Sequence, residues 1–230
     1  MKKSYILIFL SFAFFGACQN AESGQDQRLT EQETPAGMEE AEMSGKIIFF
    51  GNSLTAGYGL DPGEGFPAIV QTKLDASGYN YKVVNAGLSG ETTAGGNERV
   101  DWVLQQNLDV FVLELGANDG LRGFSPDVTH QNLQSIIDKV KAKAPEAKII
   151  LAGMEAPPNM GKDYTDDFRK VFVNLARDND LPLIPFLLKN VGGIPELNLP
   201  DGIHPNKEGQ KIVAGNVWEI LQPLLAEAES

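Results

Sequence analysis

The chain holds one cysteine, Cys18, and two histidines, His130 and His204, among its 230 residues. A lone thiol excludes an internal disulfide, and so few thiols and imidazoles cannot furnish the usual ligand sets of a zinc hydrolase. Basic residues are scarce as well. The 19 Lys and Arg face 31 Asp and Glu, a net charge of −12, with no basic cluster. This argues against a nucleic-acid partner and against electrostatic attraction to anionic lipid headgroups. Two common motifs are missing. Gly161-Lys162 is followed by Asp163 rather than by the Ser or Thr of a phosphate-binding loop. Ser53 stands in Gly51-Asn52-Ser53-Leu54-Thr55, which is not the Gly-x-Ser-x-Gly of an α/β-hydrolase. No internal repeat is visible.

The apolar run at residues 5–17 (YILIFLSFAFFGA) is shorter than the roughly 20 residues that cross a bilayer. With Lys2 and Lys3 before it and Gly16 and Ala17 at its end, it has the layout of a secretory signal, residues 1–17. Cys18 follows at once. Its setting resembles the lipobox of bacterial lipoproteins, with Phe15 where Leu is usual, and implies lipidation of Cys18. Residues 18–45 then carry seven acidic side chains against Arg28 alone, with too little aromatic and β-branched content to bury a core. A disordered tether is expected there, on an exported, membrane-anchored lipoprotein facing periplasm or cell surface.

Residues 46–230 have the length of one domain with one core. Apolar runs at 46–50, 81–84, 109–115, 148–152 and 181–186 read as strands buried on both faces. Between and after them, residues 67–76, 95–106, 126–144, 164–178 and 206–225 carry apolar side chains at helical spacing. This alternation predicts a three-layer α/β/α sandwich on a five-stranded parallel sheet. In such sheets the site lies beyond the carboxyl ends of the strands. Those loops are the Gly-, Asn- and Ser-rich segments.

After the first strand, Ser53 lies on a Gly-flanked turn at a helix start, suited equally to a nucleophile and to an N-cap. A nucleophilic serine needs a base. His130 falls in a polar stretch of the third helix and reads as a surface residue, which leaves His204. In Asp201-Gly202-Ile203-His204, the aspartate three residues ahead is close enough to hold the imidazole Nδ1 and leave Nε2 for the serine proton. An ordinary Asp-Gly turn beside a solvated histidine would look the same. Oxyanion donors are available in residues 85–90 (NAGLSG) and in the side chain of Asn118 within GAND, itself a common turn signal.

GNSLTAGYG, Gly87 within NAGLSG, GAND and DGIH resemble, in order, the four blocks of the SGNH (GDSL-type) hydrolases. LELGANDGLRGF, APPNMGKDYT and DGIHPNKEGQ extend the likeness to the bacterial arylesterase, thioesterase and lysophospholipase branch. The resemblance implies a flavodoxin-like fold with neither metal nor organic cofactor. It implies Ser53, Asp201 and His204 as triad, and an oxyanion hole of the Ser53 and Gly87 N–H groups and the Asn118 amide. It also implies a small-molecule or lipid ester as substrate; a monomer is expected because no apolar helix face exceeds the needs of one domain. One departure stands out. The family has Asp before the nucleophile, and this chain has Asn52. A carbohydrate O-deacetylase of the same family, or a non-catalytic surface lipoprotein on a hydrolase fold, are the alternatives. Leu54, Leu121, Phe124, Pro157 and Pro158 are candidates for an apolar acyl groove.

Overall fold

A computed structural model describes residues 45–228. The expected signal (1–17), Cys18 and the tether lie outside the described residues, with one exception. Gly45, counted with the tether, opens the first strand: it pairs with Tyr81 and its N–H donates to Asn80 O.

The elements run β1 (Gly45–Gly51), α1 (Ser53–Ala56), α2 (Phe66–Ala76), β2 (Tyr81–Gly87), α3 (Thr93–Val103), β3 (Val110–Glu114) and α4 (Ala117–Arg122). They continue with α5 (Pro126–Lys143), β4 (Lys148–Ala152), α6 (Lys162–Asn179), β5 (Leu183–Ile184) and α7 (Lys207–Ala228). All strand pairs are parallel, in the order β2-β1-β3-β4-β5. This is the expected α/β/α sandwich with a five-stranded, flavodoxin-like sheet.

Strand β1 shows why the layers form. Ile47, Ile48, Phe49 and Phe50 are all fully buried, so neither face of the strand meets water. Side chains alternate across a strand. Phe49 packs edge-on against Phe66 of α2, while Phe50 stacks on Phe111 and lies under Arg99 of α3. The helices follow the same economy. In α6 the buried set is Phe168, Val171, Phe172, Leu175 and Ala176, one stripe at helical spacing. Helix α3 contains two glycines, poor helix formers, yet a Cβ on Gly96 would lie 2.3 Å from Leu115 and 3.3 Å from Phe50. The glycine lets this helix sit close to the sheet.

The expected strands and long helices are present within a few residues, but β5 shrinks to two. Pro182 and Pro185 flank it, and a proline cannot donate to a ladder. Two short helices, α1 and α4, were not expected as elements, and each carries a residue of the site. β1 is the topological switch point: its chain neighbours β2 and β3 lie on opposite sides of it, and β3 pairs Glu114 with Gly51. A crevice at such a point is where open α/β sheets bind ligands.

Because Phe49 joins β1 to α2, Phe49→Ala should cost about 3–5 kcal/mol of unfolding free energy in urea titration. A loss below about 1 kcal/mol would contradict this account of the core.

Candidate active site

At the end of β1 the chain turns sharply into α1. Asn52 caps this helix, its Oδ1 accepting from Leu54 N at 3.0 Å, and Gly57 closes it in the left-handed region at φ 73. Ser53 is the first helical residue, only 9 % exposed. The serine is therefore not the cap. Asn52 is.

The imidazole that meets Ser53 arrives from the other end of the chain. Asp201 Oδ1 accepts from Ile203 N at 2.9 Å and His204 N at 3.0 Å, which curls the segment into a tight turn with Gly202 at φ 70. Leu199 N donates to His204 O, and Asn198 bridges Pro205, so the turn is anchored on both flanks. Its other carboxylate oxygen, Oδ2, lies 2.7 Å from His204 Nδ1. His204 Nε2 lies 2.9 Å from Ser53 Oγ. With Nδ1–H donating to Asp201, Nε2 is left with its lone pair toward Ser53 Oγ. Tyr58 covers the ring, centroids 4.5 Å apart.

The donors from His204 N, then Ile203 N and the imidazole, hold the Asp201 carboxyl down to about 2 against its partial burial. A depressed carboxyl is fully ionised above its ordinary value near 4, and its contribution is lost only as pH falls toward about 2. Asp201 is thus a carboxylate throughout the neutral range.

The residues proposed for an oxyanion hole behave differently from one another. Among the described contacts the Ser53 N–H donates to no protein acceptor, as befits the first residue of a helix. Asn118, in α4, gives one amide hydrogen to Glu91 O at 3.0 Å, which leaves its second to point elsewhere. Gly87 is a correction to the sequence reading. Its N–H donates to Asn85 Oδ1 at 2.9 Å, and a Cβ there would lie 2.3 Å from Ala56 N. Gly87 is glycine so that α1 can rest on the end of β2. Three residues on, Glu91 N donates to Leu88 O across a turn with Gly90 at φ 82, the third position of a type II turn, where glycine is required. The Gly90 N–H is not engaged among the described contacts, and its peptide neighbour Glu91 touches Asn118. The sequence reading held Gly90 only within the donor segment 85–90 and singled out Gly87, because both glycines of NAGLSG look alike until their φ angles are known.

The loop carrying Gly90 is fixed by a bidentate pair. Arg99 Nε and Nη2 lie 2.7 and 2.6 Å from the two oxygens of Glu91, and Nη2 also donates to Ala86 O. Arg122 donates to Gly90 O, and Asp119 accepts from Thr93 N and Thr93 Oγ1. The loops after β2 and β3 are thereby tied together.

Beneath Ser53 lies a group that the sequence reading passed over. Glu114, the last residue of β3, is fully buried against Asn52 and Thr55. Burial pushes its carboxyl up to about 7, while donors from Thr55 and Asn52 pull the other way. Of the residues expected to form an acyl groove, Leu54 is core, whereas Leu121 and Phe124 are exposed. Tyr58, Leu88 and Ile203 are likewise exposed, on loops at the carboxyl edge of the sheet. His130 lies half-buried on α5 near Asp178, outside the constellation.

The family model described as GDSL-like Lipase/Acylhydrolase family matches residues 49–212. Esterase TesA of Pseudomonas aeruginosa is 41 % identical over 180 residues, 78 % of this chain and 89 % of its own. Thioesterase 1/protease 1/lysophospholipase L1 of Escherichia coli strain K12 is 38 % identical over 180 residues, 78 % of this chain and 84 % of its own. Among solved structures, the psychrotrophic esterase EstA from Pseudoalteromonas sp., inhibited by monoethylphosphonate, superposes with a TM-score of 0.74 at 33 % identity. That match covers 79 % of this chain and 99 % of the other. The chain belongs to the GDSL-like lipase/acylhydrolase (SGNH hydrolase) family and is a carboxylic ester hydrolase.

Proposed function

We propose that Ser53, His204 and Asp201 form a catalytic triad and that the protein hydrolyses esters through an acyl-enzyme. The observation that carries this reading is the unbroken relay from Ser53 Oγ through both ring nitrogens of His204 to Asp201, at 2.9 and 2.7 Å. In the acylation step Ser53 Oγ bonds to the ester carbonyl carbon as its proton passes to Nε2. The tetrahedral intermediate then expels the alcohol, which takes that proton from the imidazolium. Water repeats the sequence on the acyl-serine and releases the acid. Asp201 stays ionised throughout and stabilises the imidazolium.

The carbonyl oxygen becomes an anion in each tetrahedral intermediate and needs fixed donors. The Ser53 N–H and the second amide hydrogen of Asn118 serve this purpose. With the Gly87 N–H given to Asn85, the remaining backbone donor in this reading is Gly90.

The substrate class is read from the exposed apolar side chains on the connections at the carboxyl edge of the sheet. Tyr58, Leu88, Leu121, Phe124 and Ile203 are large apolar side chains, each at least 42 % exposed. Such a rim suits aryl or fatty acyl groups, thioesters or lysophospholipids included, better than an acetylated sugar. The relatives named as an esterase and as a thioesterase/lysophospholipase support the same class. Among the described residues no helix is long and apolar enough to cross a membrane. The proposed membrane attachment rests on Cys18, lipidated after export, with residues 19–44 as a tether.

A fluorophosphonate probe, which reacts as a phosphonyl ester at activated serines, should label the wild type and leave Ser53→Ala unlabelled. Aryl ester hydrolysis should fall by about 10⁴-fold or more in that variant. Equal labelling of the two proteins would overturn Ser53 as nucleophile. Asp201→Asn should lower kcat by about 10³–10⁴-fold, since an amide at that place favours the wrong tautomer. On the acid side, Asp201 should add no limb to the wild-type kcat/KM profile until about pH 2. Full-length protein should partition into the detergent phase of a cloud-point extraction, and Cys18→Ala should stay aqueous. Identical partitioning would remove the lipid anchor from the reading.

A further inference from the structure

The floor of the nucleophile turn is built around a carboxylate that the reaction does not use. Glu114 Oε2 accepts from Asn52 N at 3.1 Å, Thr55 N at 3.3 Å and Thr55 Oγ1 at 2.8 Å. Glu114 Oε1 accepts from Asn52 Nδ2 at 2.8 Å. Asn52, Thr55 and Glu114 are all fully buried. Room for the carboxylate is made by Gly51, where a Cβ would lie 2.2 Å from Thr55 Oγ1 and 2.4 Å from Glu114 Oε2. Of these four donors only the Thr55 hydroxyl has any capacity to accept, so the arrangement is made for the ionised form.

Asn52 faces two ways. Its Nδ2 donates to Glu114, and its Oδ1 accepts from Leu54 N and lies 3.4 Å from Ser53 Oγ. An amide offers a donor on one side and an acceptor on the other without borrowing a proton. The Asp that the family has at this position would set two carboxylates against each other, and such a pair retains one shared proton.

We propose that Glu114 is a positioning residue for Ser53, acting through Asn52 and Thr55, and that Asn52 makes this clamp independent of a shared proton. The proposal rests on the reading of Ser53 as nucleophile. Its geometry is that of a bracket, with β3 supplying the carboxylate and α1 supplying the donors. The bracket sets the rotation of the turn that presents Ser53 Oγ to His204.

The groups that face Glu114 are neutral. Its departure from the ordinary carboxyl value has burial as its first cause and Thr55 and Asn52 as the rest, with no charged partner. Lys46 and Lys148 lie at the opposite ends of β1 and β4. In α4, Asp119 is engaged by Thr93, and Arg99 of α3 is engaged by Glu91. His204 and Asp201 reach the turn only through Ser53. By sign, a raised carboxyl stabilises the fold below its ordinary value and loses that contribution as pH rises through about 7. Above that pH the wild-type clamp is ionised and complete. In Asn52→Asp the shared proton persists to higher pH, and its loss opens the turn.

The test is a reciprocal exchange. Aryl ester kinetics and the thermal midpoint are measured from pH 6 to pH 10 for wild type, Asn52→Asp, Glu114→Gln and the double variant. In Asn52→Asp, kcat should be near wild type at neutral pH and gain an alkaline limb, falling about tenfold relative to wild type by the top of the range. Glu114→Gln opposes two amide donors and should lower kcat by about 10- to 100-fold with KM within about threefold. The double variant restores an amide-to-carboxylate pair with the roles exchanged. It should recover kcat to within about threefold of wild type and lose the alkaline limb.

A double variant no better than Glu114→Gln, or an Asn52→Asp profile parallel to wild type, would overturn the proposal. Should Glu114→Gln fail to fold, the comparison of Asn52→Asp with wild type decides alone. The thermal midpoint does not depend on which serine is acylated. A fall of that midpoint in Asn52→Asp at alkaline pH values where the wild-type midpoint no longer changes therefore tests the clamp separately from the nucleophile, which the Ser53→Ala labelling control addresses.

Discussion

A serine and a histidine 151 positions apart in the chain meet at 2.9 Å, and most of the described structure serves that one hydrogen bond. Neither partner can be moved by a side-chain adjustment alone. Ser53 is fixed by the end of β1 and the cap of α1. His204 is fixed by the turn that precedes α7, whose first N–H groups are taken by Asn206 Oδ1. Four of the five strands lie between them in the chain, and the carboxyl edge of the sheet brings both ends of the domain to the same rim. A core of buried Phe, Ile, Leu and Val holds that edge rigid enough for a donor–acceptor distance to be specified.

The second demand is that polar loops at this rim keep their shape before a substrate arrives. Here that rigidity comes from links between loops as well as within them. Asn118 reaches the backbone of Glu91, Arg122 reaches Gly90 and Asp119 reaches Thr93. The guanidinium of Arg99 lies 4.3 Å from the Phe50 ring centre while pairing with Glu91, so the loop is joined to the core as well as to its neighbour. Preorganised donors of this sort stabilise developing charge because nothing need reorient at the moment of reaction.

What the sequence disclosed, and what it hid, follows from the range of the interactions involved. β1, β3 and β4 were legible because continuous apolar runs leave little else to be, and the long helices because one face repeats at 3.6 residues. β5 was overestimated: its apolar residues are real, but two prolines remove the ladder donors around it. α1 and α4, at four and six residues, are too short to show a period. Ser53, Asp201 and His204 could be singled out because there was scarcely another histidine to choose. Gly87 could not be told from Gly90, since a close approach to α1 and a left-handed φ are both invisible in a row of letters. Glu114 did leave a signal. A carboxylate stands inside the run DVFVLEL, where solvent is not to be had, and a buried charge in a strand asks for partners. Asn52 read in isolation was a lost charge; beside Glu114 it is the donor that the carboxylate needs.

The turn from Asp201 to His204 holds its own orienting carboxylate, its own left-handed glycine and its own imidazole within four residues. Carboxylate and imidazole are consequently one cassette instead of two parts drawn from separate strands. Any movement of that segment carries both groups together, preserving the tautomer while changing only the gap to the serine. Tuning of this enzyme through its last loop would thus act like a distance dial: the imidazole stays primed, and what varies is whether it is in reach.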